Sequence, residues 1–201
     1  MGNKKVIMVL ALVFMMVLFG AYALYRGLSS EFGTNQLATN ALPSEATNVK
    51  TDGSQATDGS AEASMAPDFT VYDDQGNPVK LSDFLGKPVV VNFWASWCGP
   101  CKGEMPEFEA AYHEYDEQVH FLMVNMTDGL RETVESASEF IAQSGYTFPV
   151  YFDSDTQAAS VYSVWSIPAT YFIDADGHAI AWASGALDAN TLQQGIDMIL
   201  P

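Results

Sequence analysis

Val89-Val90-Val91-Asn92-Phe93-Trp94-Ala95-Ser96-Trp97-Cys98-Gly99-Pro100-Cys101-Lys102 joins a β-branched and aromatic run to a Cys-x-x-Cys pair. The run at 89–94 is long enough for a buried strand. Gly99 and Pro100 then open a stretch of helical spacing to about Tyr115, with Pro100 suited to a first turn whose N–H groups go unpaired anyway. A Cys-x-x-Cys that closes a strand and opens a helix is placed for redox chemistry. Cys98 falls at the helix N-terminus, where free N–H groups and the macrodipole favour a thiolate. A lowered thiol pKa supplies the nucleophile for thiol–disulfide exchange at neutral pH. Cys101, one turn later, is close enough to attack a mixed disulfide at Cys98 and release the partner. Gly99 and Pro100 between them are read as permitting the tight turn.

Other uses of the pair fare worse. A structural disulfide closing so short a loop adds little stability, because the entropic gain shrinks with loop size. These are the chain's only two cysteines, which excludes a disulfide-stapled scaffold and an all-cysteine zinc site. His113, His120 and His178 stand at no metal-binding spacing, so neither a metal nor a cofactor is expected.

Around this segment the pattern alternates. Residues 119–126 read as a second strand, and 131–144 as a helix through Val134, Ala137, Phe140 and Ile141, with Gly145 fitting its C-cap. A short strand at 150–152 and a short helix at 157–162 come next. Residues 169–173 and 179–183 flank Asp174-Ala175-Asp176-Gly177 as an antiparallel hairpin. Residues 187–200 form a terminal helix with Asp188 as N-cap, and 69–80 a small leading hairpin around Gly76-Asn77-Pro78. Strand-helix-strand-helix succeeded by hairpin and helix implies a three-layer α/β domain with a central mixed sheet.

The N-terminal third differs. After Lys4 and Lys5, residues 6–25 are 20 residues without a charge. A helix of that length spans roughly 30 Å, the hydrocarbon thickness of a bilayer. Residues 1–25 are therefore read as a membrane anchor with a cytoplasmic N-terminus. The alternative is a signal peptide cleaved after Ala21-Tyr22-Ala23. Either reading exports the rest of the chain. Of the 41 residues at 26–66, 20 are Ser, Thr, Asn, Gln or Gly. Such a stretch buries too little to order itself, so it reads as a flexible linker or a low-complexity remnant of export. As a coil it would hold the folded unit, 67–201, within about 35 Å of its attachment point.

The whole chain of 201 residues has a net charge of −17 and a sequence pI of about 4.1. The folded unit carries four basic residues (Lys80, Lys87, Lys102, Arg131) against twenty acidic ones. That balance excludes nucleic acid as a partner, since its affinity rests on basic residues displacing phosphate counterions.

Asn92 to Lys102 resembles the active-site segment of the thioredoxin superfamily, and the wider pattern is similar to its TlpA/ResA-like branch of membrane-anchored thiol–disulfide oxidoreductases. Ala66-Pro67-Asp68-Phe69, Leu81-Ser82-Asp83-Phe84-Leu85-Gly86-Lys87-Pro88, Glu104-Met105-Pro106 and Trp165-Ser166-Ile167-Pro168-Ala169-Thr170-Tyr171-Phe172-Ile173-Asp174 carry the likeness over 66–201. The resemblance implies a thioredoxin-like α/β/α fold and a dithiol of Cys98 and Cys101. It also implies substrate contacts from Trp97, Gly99, Pro100, Ile167 and Pro168. Pro168 matches the family's proline after a cis bond, a geometry open to X-Pro and one that exposes the Ile167 backbone to a substrate strand. Pro106 implies a helix kink.

Asn92 stands where many cytoplasmic thioredoxins have a buried aspartate, and an amide cannot accept the proton of Cys101. Glu104, three residues beyond Cys101 on the same helix face, matches a carboxylate of the ResA-like branch. It is expected to shuttle that proton if partly buried; otherwise it is a solvated helix glutamate. The activity implied is reduction of disulfides in exported proteins, such as apocytochrome c, with electrons from a membrane thiol carrier of the CcdA/DsbD type. The expected location is the outer face of a bacterial membrane, or the exterior after signal cleavage. A non-catalytic binding or chaperone module on the same fold is the first alternative. A thiol peroxidase is the second, disfavoured because Ala95 stands where a threonine is wanted.

Overall fold

Val89–Trp94 folds as the central strand and is buried along its whole length. The structure, a computed structural model, describes residues 15–16, 37–39 and 64–201. The chain divides into two compact units, Met1–Gly33 and Thr34–Pro201, and the sheet and its helices belong to the second. Its strands are β1 (Ala38–Thr39), β2 (Thr70–Tyr72), β3 (Pro78–Lys80), β4 (Val89–Trp94), β5 (His120–Asn125), β6 (Val150–Phe152), β7 (Ala169–Ile173) and β8 (Ala179–Ser184). Its helices are α1 (Gly99–Tyr115), α2 (Val134–Ser144), α3 (Gln157–Val161) and α4 (Ala189–Ile199), with a 3₁₀ turn at Leu81–Phe84.

The strands form one mixed sheet in the order β1-β8-β7-β4-β5-β6-β2-β3. β4, β5 and β6 run parallel, while β7 pairs antiparallel with both β4 and β8. Side chains alternate between the faces of a strand. Val90 and Trp94 accordingly enter one core, with Met105 and Phe108 of α1, Ala137 of α2 and Leu192 and Ile196 of α4. Val89, Val91 and Phe93 enter the other, beneath Phe69, Leu81, Ala158 and Tyr162. Helices therefore cover one face, while short α3, the 3₁₀ turn and Phe69 just before β2 cover the other. The thioredoxin-like fold with a central mixed sheet stands as expected. Asn92 shares the parity of Val90 and Trp94, which aims its amide at α1.

Three local details differ from the sequence reading. The second helix begins at Val134 rather than near 131, because one Asp128 oxygen accepts the N–H groups of Leu130, Arg131 and Glu132 and holds them in a turn. Thr133 then caps the helix by accepting the Ser136 N–H. Sheet pairing starts before residue 67: the Ala66 N–H donates to Gly177, and Met65 bridges His178. Inside the segment expected to be a flexible linker, Ala38 and Thr39 pair with Trp182 and Ala181, covering the open edge of β8. Gly145, at φ 74°, and Asp188, accepting the Thr191 N–H, cap their helices as expected. No helix among the described residues is long and apolar enough to cross a membrane, and the expected anchor at 6–25 lies, apart from Met15 and Met16, outside the described residues.

Helix α4 lies on the sheet because Gly195 lets it approach. A Cβ there would sit 2.2 Å from Phe172 Cζ. Gly195→Ala should therefore destabilise the domain by about 1–3 kcal/mol through overpacking, although alanine is the better helix former by up to about 1 kcal/mol. Urea unfolding measures this; a net gain would show that Phe172 turns aside.

Candidate active site

Cys98 is the N-cap of α1, with Gly99 and Pro100 in its first turn. Its Sγ accepts a hydrogen bond from the Cys101 N–H at 3.2 Å, so a backbone donor that the helix leaves unpaired is turned onto sulfur. The two cysteines are joined as a disulfide with Cα atoms 5.3 Å apart. Cys98 keeps 4% of its surface exposed, whereas Cys101 is sealed. Gly99 does not serve the steric purpose expected of it. Its φ is not positive, and a Cβ at that position would meet nothing within 4 Å. The turn needs no glycine, because the N-terminus of the helix faces open space there.

The loop before β7 completes the front of the site. The Ile167–Pro168 bond is cis, as expected, and the Ile167 carbonyl oxygen lies 3.8 Å from Cys98 Sγ. Pro168 is buried, and its carbonyl accepts the Gly185 N–H. The structure thus brings Cys98, Cys101 and Ile167 together. Trp97 projects beside them, 41% exposed, with the Arg131 guanidinium 3.6 Å above its ring centroid.

Three residues beyond Cys101 on α1, Glu104 is 1% exposed, which rules out the solvated alternative. Asn92 Nδ2 donates to its Oε1 and the Leu187 N–H to its Oε2, both at 2.8 Å. Those donors favour the ionised form, yet burial outweighs them and pushes the carboxyl up to about 7. Asn92 Nδ2 also donates to Thr170 Oγ1, while its Oδ1 is buried without a partner.

A second buried carboxylate goes unmarked in the sequence. Glu132 is fully buried; its Oε1 accepts from Ser96 N and Asn125 Nδ2, and its Oε2 from Ser96 Oγ, all at 2.7 Å. It ties the loop after β5 to the residue two before Cys98. In a chain with 25 acidic residues, nothing in the order of residues singles this one out as internal.

The described residues hold one cluster of three with metal-ligand atoms, Asp174, Asp176 and His178 in the β7–β8 turn. One Asp174 oxygen there accepts the Asp176 and His178 N–H groups, which accounts for the cluster as a turn.

Residues 63–181 match the model of the AhpC/TSA family. The thiol–disulfide oxidoreductase ResA of Geobacillus kaustophilus (strain HTA426) is 35% identical over 142 residues, covering 70% of this chain and 79% of that protein. Among solved structures, a protein described as thiol:disulfide interchange protein DsbE from Chlorobium tepidum has a TM-score of 0.62 at 32% identity, covering 69% of this chain and 97% of that one. The pneumococcal exposed lipoprotein thioredoxin (Etrx1) from Streptococcus pneumoniae strain TIGR4 has a TM-score of 0.56 at 28% identity, covering 65% and 98%.

The raised Glu104 carboxyl makes stability depend on pH. Below about pH 4.5, folded and unfolded chains both carry it protonated. Between 4.5 and about 7 the unfolded chain releases the proton while the folded one keeps it, so stability falls as pH rises. Above 7 the loss is complete, on the order of 3 kcal/mol. Asp153, also raised by burial, adds a loss of the same sign, so the comparison with Glu104→Gln isolates the one group. Between pH 4.5 and 8 the wild type should lose about 3 kcal/mol more than that variant in urea unfolding. Parallel curves would show that Glu104 ionises freely.

Proposed function

This chain belongs to the AhpC/TSA family and, within it, to the ResA-like thiol–disulfide oxidoreductases, and from that premise we propose that it reduces disulfides of exported proteins through Cys98 and Cys101. The observation that carries the assignment of roles is the Cys101 N–H held 3.2 Å from Cys98 Sγ at a helix N-terminus. In the reduced state the same donor and the macrodipole stabilise a Cys98 thiolate. That thiolate attacks the client disulfide; the client S–S bond breaks, one client sulfur leaves as thiolate, and the other is bound to Cys98. Cys101 gives its proton to the Glu104 carboxylate and attacks Cys98 Sγ. The second client sulfur leaves, the Cys98–Cys101 disulfide forms, and Glu104 returns the proton to the departing thiolate. Two electrons pass from the dithiol to the client, and a thiol donor restores them.

Burial supports the division of labour. Cys98 is the sulfur with surface to offer, and Cys101 is sealed, so its proton needs an internal acceptor. Glu104, buried three residues further along α1 and with a carboxyl pushed up to about 7, is matched to that task near neutral pH. Ile167 and Pro168 form the client-facing loop beside Cys98, and Trp97, Gly99 and Pro100 the opposite rim. The domain works outside the cytoplasm, in keeping with the exposed lipoprotein among its solved relatives. A membrane thiol carrier is the proposed donor, apocytochrome c a proposed client, and residues 6–25 the proposed anchor.

Reduction of an exported-type disulfide substrate, with Cys98→Ala as control, tests the reading. Cys98→Ala should abolish turnover, and Cys101→Ser should accumulate a client mixed disulfide on Cys98. Equilibration with glutathione should place the pair near the reducing end of the roughly −270 to −120 mV range of this chemistry. A value near −120 mV would make it an oxidant, and peroxide consumption without disulfide reduction would make it a peroxidase. Glu104→Gln should slow release of the mixed disulfide by about 10²-fold and shift the Cys101 titration. Unchanged thiol titrations and rates would remove Glu104 from the mechanism.

A further inference from the structure

The redox end of this acidic domain carries two of its four basic side chains. Of four basic side chains in 67–201, Lys87 is engaged by the Asp116 and Glu117 carbonyls, and Lys80 lies in β3 at the sheet edge. The other two flank the disulfide. Lys102 follows Cys101 and lies 6.0 Å from the Phe140 ring centroid, and Arg131 lies on Trp97. Neither forms an ion pair among the described residues.

Arg131 is placed rather than adrift. Its neighbour Glu132 is bolted to Ser96, and its own N–H is held by Asp128. A guanidinium seated over an aromatic face can still turn N–H groups outward, and those groups are the ones matched to a carboxylate. Asp128 is the acidic group that senses Arg131 electrostatically, yet the two form no ion pair, and one Asp128 oxygen is taken by three backbone N–H groups.

Exposed apolar side chains come from the segments that carry the cation and the client-facing loop. Leu130 is 92% exposed and Trp165 94%. Trp165 is two residues before Ile167, whose carbonyl oxygen neighbours Cys98 Sγ. Ser163, two residues before Trp165, is held in the left-handed region at φ 51°, a strained choice for a non-glycine that tends to be kept where function needs it. Trp and Arg are the residue types that anchor protein interfaces.

We propose that this rim selects client segments in which a carboxylate flanks the target cysteine, with Arg131 as the specificity-determining residue that pairs with it and Trp97, Leu130 and Trp165 covering the adjoining apolar side chains. The occupant is an acidic, partly apolar polypeptide segment, favoured by charge complementarity at the one end of the domain where unpaired cations meet exposed aromatics. The inference rests on the proposed reductase activity.

Disulfide-linked peptide dimers test it, identical except for Glu, Gln or Lys next to the cysteine, reduced by the dithiol form of the full chain. Wild type should show a kcat/KM for the Glu peptide about tenfold above the Lys peptide at low salt, mostly in KM. The ratio should shrink at about 0.5 M salt as the charges are screened. Arg131→Gln should level the ratio, and Arg131→Glu should invert it. Equal rates for the three peptides with wild type, or a ratio that Arg131→Glu leaves in place, would overturn the role of Arg131 while leaving the reductase reading intact. Failure to reduce even the Gln peptide would sink both.

Discussion

A carboxylate buried with nothing but neutral donors around it sets the terms for the redox centre. Glu104 is held by an amide from β4 and the backbone N–H of Leu187, just before the α4 cap, partners 12 and 83 residues away. Those contacts pin α1 against the sheet from behind, so the helix N-terminus that carries Cys98 has a fixed place relative to the Ile167 loop. The same burial raises the carboxyl to about 7. One arrangement thus fixes geometry and shifts a carboxyl toward neutral pH, and the domain gives up stability above neutral pH to keep it.

Asn92 makes that arrangement workable. An aspartate at this position would face Glu104 across a hydrogen-bond distance, and two like charges in a sealed space cannot both ionise. The amide donates to the carboxylate and to Thr170 and leaves its oxygen unpaired.

The elements built on periodicity and local chemistry were legible from the residues: the β4 run, the cysteine turn opening α1, the Gly145 and Asp188 caps, the hairpin around Asp174 to Gly177. Each depends on neighbours a few positions apart. Glu104 was legible as a candidate from its spacing to Cys101, but not its burial, which depends on Leu187. Glu132 was not legible at all, because its partner Ser96 is 36 residues away and acidic residues abound throughout this sequence. The pairing of Ala38 and Thr39 with β8 was hidden for the opposite reason: a polar stretch gives no pattern, and an open sheet edge accepts backbone whatever its side chains. The glycine of the Cys-x-x-Cys turn shows the reverse error, a residue credited with a steric duty that its surroundings do not impose.

Charge distribution links the buried and exposed halves of the site. Glu104 and Glu132 place two carboxylates inside the end of the domain where a thiolate must form, and a further anion at the surface would oppose it. The surface there instead carries Lys102 and Arg131, while the nearby Asp128 is turned onto backbone N–H groups. Exposed cations are screened over about 10 Å, so their influence is local. The interior acids are held by hydrogen bonds from neutral donors, while both cations stay at the surface; moving a cation inside would leave it buried and unpaired.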